Sequence, residues 1–68
     1  MLIEIQLNGE PRQIHEALTL AELLRDLNIE NRYCAVERNC NVVPREEHER
    51  CVLQSGDHIE IVTLVGGG

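Results

Sequence analysis

The sequence closes on three consecutive glycines, Gly66-Gly67-Gly68, and these residues carry its clearest chemical potential. Glycine has no Cβ, so a run of it can thread a channel too narrow for side chains. The α-carboxylate of Gly68, with an ordinary pKa of about 3.3–3.7, is ionised at neutral pH and is then a poor electrophile. Chemistry at that carbon therefore needs activation by another molecule. The bland alternative is an unused tail. Against it, the glycines follow Ile59 to Val65, a run that reads as a strand with no loop between. The expected roles are Gly68 as the reactive position, Gly67 as the narrow-channel residue and Gly66 as a further arm residue. The sequence thus predicts a folded domain over residues 1–64 and a flexible arm over 65–68.

Other side chains have weaker claims. Val62 and Leu64 fall on the strand face opposite Ile59 and Ile61, so they form either a docking patch beside the arm or ordinary sheet packing. His15, His48 and His58 are scattered relative to Cys34, Cys40 and Cys51, and isolated surface histidines are expected rather than a metal site. The cysteine separations match neither a C-x-x-C redox pair nor paired-thiolate zinc spacing, so the thiols are read as reduced. Cys34 and Cys51 are expected as small core hydrophobes and Cys40 as an exposed turn residue. Arg45 and Arg50 either steer docking or are simply solvated.

The elements that must position the arm are legible from pattern. Ile3, Ile5 and Leu7 alternate with Glu4 and Gln6, the period of a strand with one buried face. Asn8-Gly9 is the strongest short hairpin signal, because both residues tolerate positive φ. It predicts a return strand through His15, with Pro11 at an edge or at the turn. Thr19 and Glu22 form a Thr-x-x-Glu capping box, and Leu20, Leu23, Leu24 and Leu27 make one apolar stripe of a helix ending near Asn28. Tyr33 to Arg38 reads as a strand, Asn39-Cys40-Asn41 as a tight turn into Val42-Val43, and Arg45 to Arg50 as an irregular or 3₁₀ turn. Ser55-Gly56-Asp57 turns the chain into the last strand. The expected fold class is α+β, one helix across a mixed sheet of four or five strands.

Composition narrows the function classes. The 68 residues suffice for one small domain, with a 43% apolar share carried by Leu, Ile and Val and with Tyr33 as the sole aromatic. Twelve acidic residues stand against six arginines and no lysine, a formal charge of −6, which argues against nucleic acid or an anionic membrane as partner. No apolar run approaches the roughly 20 residues of a membrane span. Met1 leads directly into the first strand pattern without a signal-peptide character, so a cytoplasmic location is expected.

Three segments together resemble a known family. Leu20-Ala21-Glu22-Leu23-Leu24, then Ala35-Val36-Glu37-Arg38-Asn39 through Val42-Val43-Pro44-Arg45, then Gly56-Asp57-His58-Ile59-Glu60-Ile61-Val62 ending in Val65-Gly66-Gly67-Gly68, resemble the ubiquitin-like sulfur carriers of thiamin biosynthesis. The resemblance implies a ubiquitin-like β-grasp with the first and last strands adjacent at the centre. It implies that Gly68 is adenylated by a ubiquitin-activating-type adenylyltransferase using ATP and Mg²⁺. A sulfur-donating protein then turns it into a thiocarboxylate, which passes sulfur to thiazole synthase. The chain itself is expected to bind no cofactor or metal, to supply no catalytic side chain and to be monomeric when alone. A carrier for molybdopterin or another thiocarboxylate pathway, and a non-reactive ubiquitin-like binding module, remain alternatives.

Overall fold

The computed structural model describes residues 1–64. Strands β1 (Leu2–Leu7) and β2 (Glu10–His15) form a hairpin, followed by helix α1 (Leu20–Asp26), β3 (Cys34–Arg38), β4 (Asn41–Val42) and β5 (His58–Thr63). Short 3₁₀ turns occupy Asn31–Tyr33 and Arg45–Glu47. The five strands make one mixed sheet in the order β2-β1-β5-β3-β4, with β1 and β5 parallel and the other pairs antiparallel. The helix covers one face. This is the expected β-grasp arrangement, with the last strand in the middle.

Local chemistry explains each element. Asn8 and Gly9 have φ of 51° and 83°, the left-handed pair of a two-residue turn whose twist matches the strands it joins. In β2, Pro11 stands opposite Gln6. Gln6 turns its own N–H away from β2, to the Asp57 carbonyl at 2.9 Å. The position opposite it therefore faces the open edge of the sheet, where a residue without an N–H costs no ladder bond.

Both ends of α1 are capped. Thr19 Oγ1 accepts from Glu22 N at 3.1 Å while Glu22 Oε1 accepts from Thr19 N at 2.9 Å, the reciprocal capping box. The next orphan donors, Leu20 N and Ala21 N, reach the carbonyls of Cys51 and His48 at 2.8 and 3.0 Å. The loop from His48 to Leu53 is thereby stitched onto the start of the helix. At the other end Asn28 takes φ 61°. Asn28 N bonds Arg25 O and Ile29 N bonds Leu24 O, the left-handed stop that satisfies the last carbonyls.

The core lies between helix and sheet: Ile5, Ile14, Leu20, Leu23, Leu24, Cys34, Val36, Leu53 and Ile59 are buried. The stripe read from the sequence supplies three of these from α1, and Leu27 packs partly buried against them. One expectation changes. The apolar run predicts a last strand through Val65, but β5 closes at Thr63, opposite Cys34, the first residue of β3. Leu64 follows it, its N–H still bonded to Tyr33 O at 2.6 Å, and Val65 lies outside the described residues.

A buried carboxylate fixes the entry to β5. Asp57, 6% exposed, accepts from Arg38 Nε at 2.9 Å, Asn39 Nδ2 at 3.1 Å and Gln54 N at 2.8 Å. Burial pushes its pKa up, but the Gln54 N–H, the Asn39 amide and the Arg38 guanidinium outweigh that and hold it below the usual carboxylate value. Asn39 also accepts from His58 N at 2.9 Å through Oδ1 and donates its own N–H to His58 O at 2.8 Å. The turn between β3 and β4 is thus tied to the first residue of β5.

Two outcomes are expected from these features. A carboxyl whose folded pKa is depressed stabilises the fold above its unfolded value of about 3.9, and that contribution fades as pH falls through the folded pKa. Asp57→Asn should therefore cost about 2 kcal/mol at pH 7 and flatten the decline of stability below about pH 4, as read by urea unfolding across pH. Cys40, at φ 72°, pays the left-handed cost of an L-residue. Cys40→Gly should raise stability by about 0.5–1 kcal/mol, visible as a higher urea midpoint.

Candidate functional site

The reactive group expected from the sequence, with the roles given to Gly66, Gly67 and Gly68, lies outside the described residues. What the structure defines is the surface around Leu64, the last described residue. Alternation along β5 turns Ile59 and Ile61 toward the helix side, where Ile59 is 1% exposed and Ile61 packs partly buried on the core. Glu60 and Val62 stand on the outer face. Val62 is 60% exposed and Leu64 53%, more than a residue packed within a sheet layer would show. Val62 faces the exposed Ala35 across the ladder, and Glu60 faces Glu37. Val42, 68% exposed, stands opposite Glu37 on β4.

The outer face beside Leu64 is therefore small and apolar, and two carboxylates, Glu60 and Glu37, border it. Apolar side chains held exposed on a rigid strand lose little conformational freedom when a partner covers them. Next to it, a shallow depression of about 230 Å³ opens beside Leu64, with Arg32 and Arg45 in its lining. Arg32 is engaged locally, stacked 4.8 Å from the Tyr33 ring centre and 3.5 Å from Glu30. Arg45 is exposed and makes no ion pair among the described residues. Arg50 is likewise exposed, on the loop stitched to the helix.

The histidines need a correction. His15 and His58 are exposed as expected, but His48 is 1% exposed. The 3₁₀ turn at Arg45–Glu47 folds the chain back, His48 N bonds Arg45 O, and its carbonyl receives Ala21 N, which swings the ring inward. His48 Nε2 lies 3.2 Å from Val43 O. A carbonyl only accepts, so this bond requires the proton on Nε2, and Nδ1 is left buried without a partner. The charged residues on both sides, Glu46, Glu47, Glu49 and Arg50, hid this burial in the sequence. Among the described residues no three His, Cys, Asp or Glu side chains gather closely enough to hold a metal ion.

All three cysteines are free thiols. Cys34 is a core residue whose burial pushes its thiol pKa up. Cys51 is half-buried, with Arg38 Nη1 3.7 Å from its sulfur, and Cys40 is exposed on its turn.

Sequence reasoning also missed how Asn8 serves β5. Its backbone N–H donates to Ile59 O at 2.8 Å. Its side chain accepts from Ile61 N through Oδ1 at 2.7 Å and places Nδ2 3.3 Å from Ile61 O. The Asn-Gly pair announced a turn, and nothing local could announce a contact 53 residues away.

Comparison with known proteins follows this geometry. The family model described as the ThiS family matches residues 5–68. The chain is 37% identical over 65 residues to the sulfur carrier protein ThiS of Bacillus subtilis, covering 94% of this chain and 98% of that one. It is 44% identical over 66 residues to a thiazole synthase of Magnetococcus marinus, covering 97% of this chain and 20% of the synthase. The chain thus spans about a fifth of the length of the thiazole synthases it matches. Among solved structures, the thiamine biosynthesis protein ThiS of Geobacter metallireducens superposes with a TM-score of 0.82 at 32% identity, covering 97% of this chain and 100% of that one.

Proposed function

Because the chain belongs to the ThiS family, we propose that it carries sulfur for thiamin biosynthesis on the carboxyl group of Gly68. Residues 65–68 are the arm, with Gly66 and Gly67 passing through the partner's channel. A ubiquitin-activating-type adenylyltransferase is the first partner. The Gly68 carboxylate attacks the α-phosphorus of ATP, the bond to the bridging oxygen breaks, and pyrophosphate leaves an acyl-adenylate. Mg²⁺ and cationic groups of that enzyme offset the phosphate charge. The terminal sulfur of a persulfide on a donor protein then attacks the acyl carbon and AMP leaves. A thiol reduces the resulting acyl disulfide, and the thiocarboxylate stays on Gly68.

The observation that carries this reading is the family match running through residue 68, on a sequence whose last three residues are glycine. The match favours thiamin over molybdopterin as the pathway. Thiazole synthase as sulfur acceptor is supported by the curated synthases that contain, as a fifth of their own length, a stretch like this whole chain. Covalent linkage raises the effective concentration of two partners that must meet. The chain acts as a substrate and not as an enzyme, contributing the carboxyl group and a docking surface and no catalytic side chain. ATP and Mg²⁺ belong to the activating partner. Among the described residues no helix is long and apolar enough to cross a membrane. A cytoplasmic setting, where ATP-dependent activation is supplied, fits the reading.

Docking falls to Val62 and Leu64, the exposed apolar pair nearest the arm. Incubation with the cognate adenylyltransferase, ATP, Mg²⁺ and a persulfide donor should raise the intact mass by about 16 Da, the exchange of one oxygen for sulfur after acyl activation. One alanine appended after Gly68 should abolish the gain. Val62→Ser with Leu64→Ser should keep the unfolding free energy from urea titration within about 1 kcal/mol of wild type while slowing adenylation at limiting carrier. No mass change in the wild-type chain would defeat the proposal.

A further inference from the structure

β1 ends at Leu7, opposite Ile59, while β5 runs on to Thr63. On one edge β3 pairs with β5 as far as Cys34 opposite Thr63. On the other edge, past Ile59, no strand among the described residues stands beside it. Backbone groups of alternate residues point to that edge, and the first of them belong to Ile61. Asn8 meets both: its amide oxygen receives the Ile61 N–H and its amide nitrogen faces the Ile61 carbonyl. A side-chain amide presents the same donor and acceptor as a peptide group. Asn8 therefore serves as one more rung of β1, built from a side chain after the main chain has turned away.

We infer that Asn8 is a positioning residue for activation at Gly68. The inference rests on the carrier reading. Ile61 lies immediately before Val62, and the rung fixes the stretch of β5 that carries Val62 and leads through Leu64 to residues 65–68. Without it, the last turn of pleat would be held from the β3 side alone. A partner would then have to order the docking pair and the arm together, and that cost falls on association rather than on the chemical step. The other two features of the turn are separable from this role: glycine can take the φ of 51° at position 8, and the backbone N–H to Ile59 O survives substitution.

The test compares Asn8→Gly and Asn8→Asp with wild type, using the cognate adenylyltransferase, ATP and Mg²⁺ and measuring pyrophosphate release. Asn8→Gly should raise KM for the carrier about five- to tenfold with kcat within about twofold, the signature of lost preorganisation. Asn8→Asp retains the acceptor for Ile61 N–H but sets a carboxylate against Ile61 O, and should fall between the two. Hydrogen exchange at the Ile61 amide should quicken in Asn8→Gly. Thr19→Ala, which removes the helix cap and lowers stability comparably, controls for destabilisation and should leave KM unchanged. An unchanged KM for Asn8→Gly, or an equal rise for Thr19→Ala, overturns the inference while the carrier reading stands. A wild-type chain that releases no pyrophosphate sinks both.

Discussion

Every layer of this domain depends on satisfying the backbone of β5 on both edges. The strand sits at the centre of the sheet, parallel to β1 and antiparallel to β3, so any unpaired group on it would be costly to leave dry. β1 covers only its beginning. On that edge Asn8, from the turn after β1, holds Ile61, and on the other edge, where β3 ends at Arg38 opposite Ile59, Asn39 from the turn after β3 holds His58. Each asparagine occupies a left-handed turn position, with φ of 51° and 52°, which asparagine tolerates better than most residues. The same residue type thus shapes two hairpins and fastens both to the strand between them.

Around that strand the polar interior is small, and its one buried carboxylate is fully engaged. Asp57 gathers a guanidinium, an amide and a backbone N–H where the chain enters β5. The segment from His48 to Leu53 has little regular structure of its own, yet it gives two carbonyls to the first turn of α1, and Leu53 N bonds Leu18 O at 2.9 Å. Loop, helix and sheet are therefore braced together on the face away from the exposed residues of β5. The outer face, with Ala35, Val62, Leu64 and Val42 exposed, is left available by the same arrangement.

What could be read from the sequence was local. Asn8-Gly9, the Thr19–Glu22 box, the leucine stripe and the Asn28 stop each act through neighbours at most four residues apart, and each stands where the pattern put it. The β-grasp itself was fixed only through family resemblance, because strand alternation in β1 and β5 does not say that they pair. The failures were contacts between distant segments. The Arg38–Asp57 ion pair spans 19 residues. His48 is drawn inward by a turn whose neighbouring charges suggest a wet surface. The end of β5 is set by where β3 begins, which the run of Ile, Val, Thr and Leu cannot show. The roles expected of Gly66, Gly67 and Gly68 lie outside the described residues.

The central place of β5 also governs how the domain is assembled in time. Everything before His58 forms a hairpin, a helix and a second, short hairpin that share no sheet until the last strand arrives between them. Pairing of β1 with β5 joins opposite ends of the domain, and contacts of such long loop length are slow to close. A growing polypeptide therefore cannot complete this core piece by piece. It must wait for the segment through Thr63 and then fold in one cooperative step, so the finished tertiary structure certifies that the strand leading to the last residues has been made and is in place.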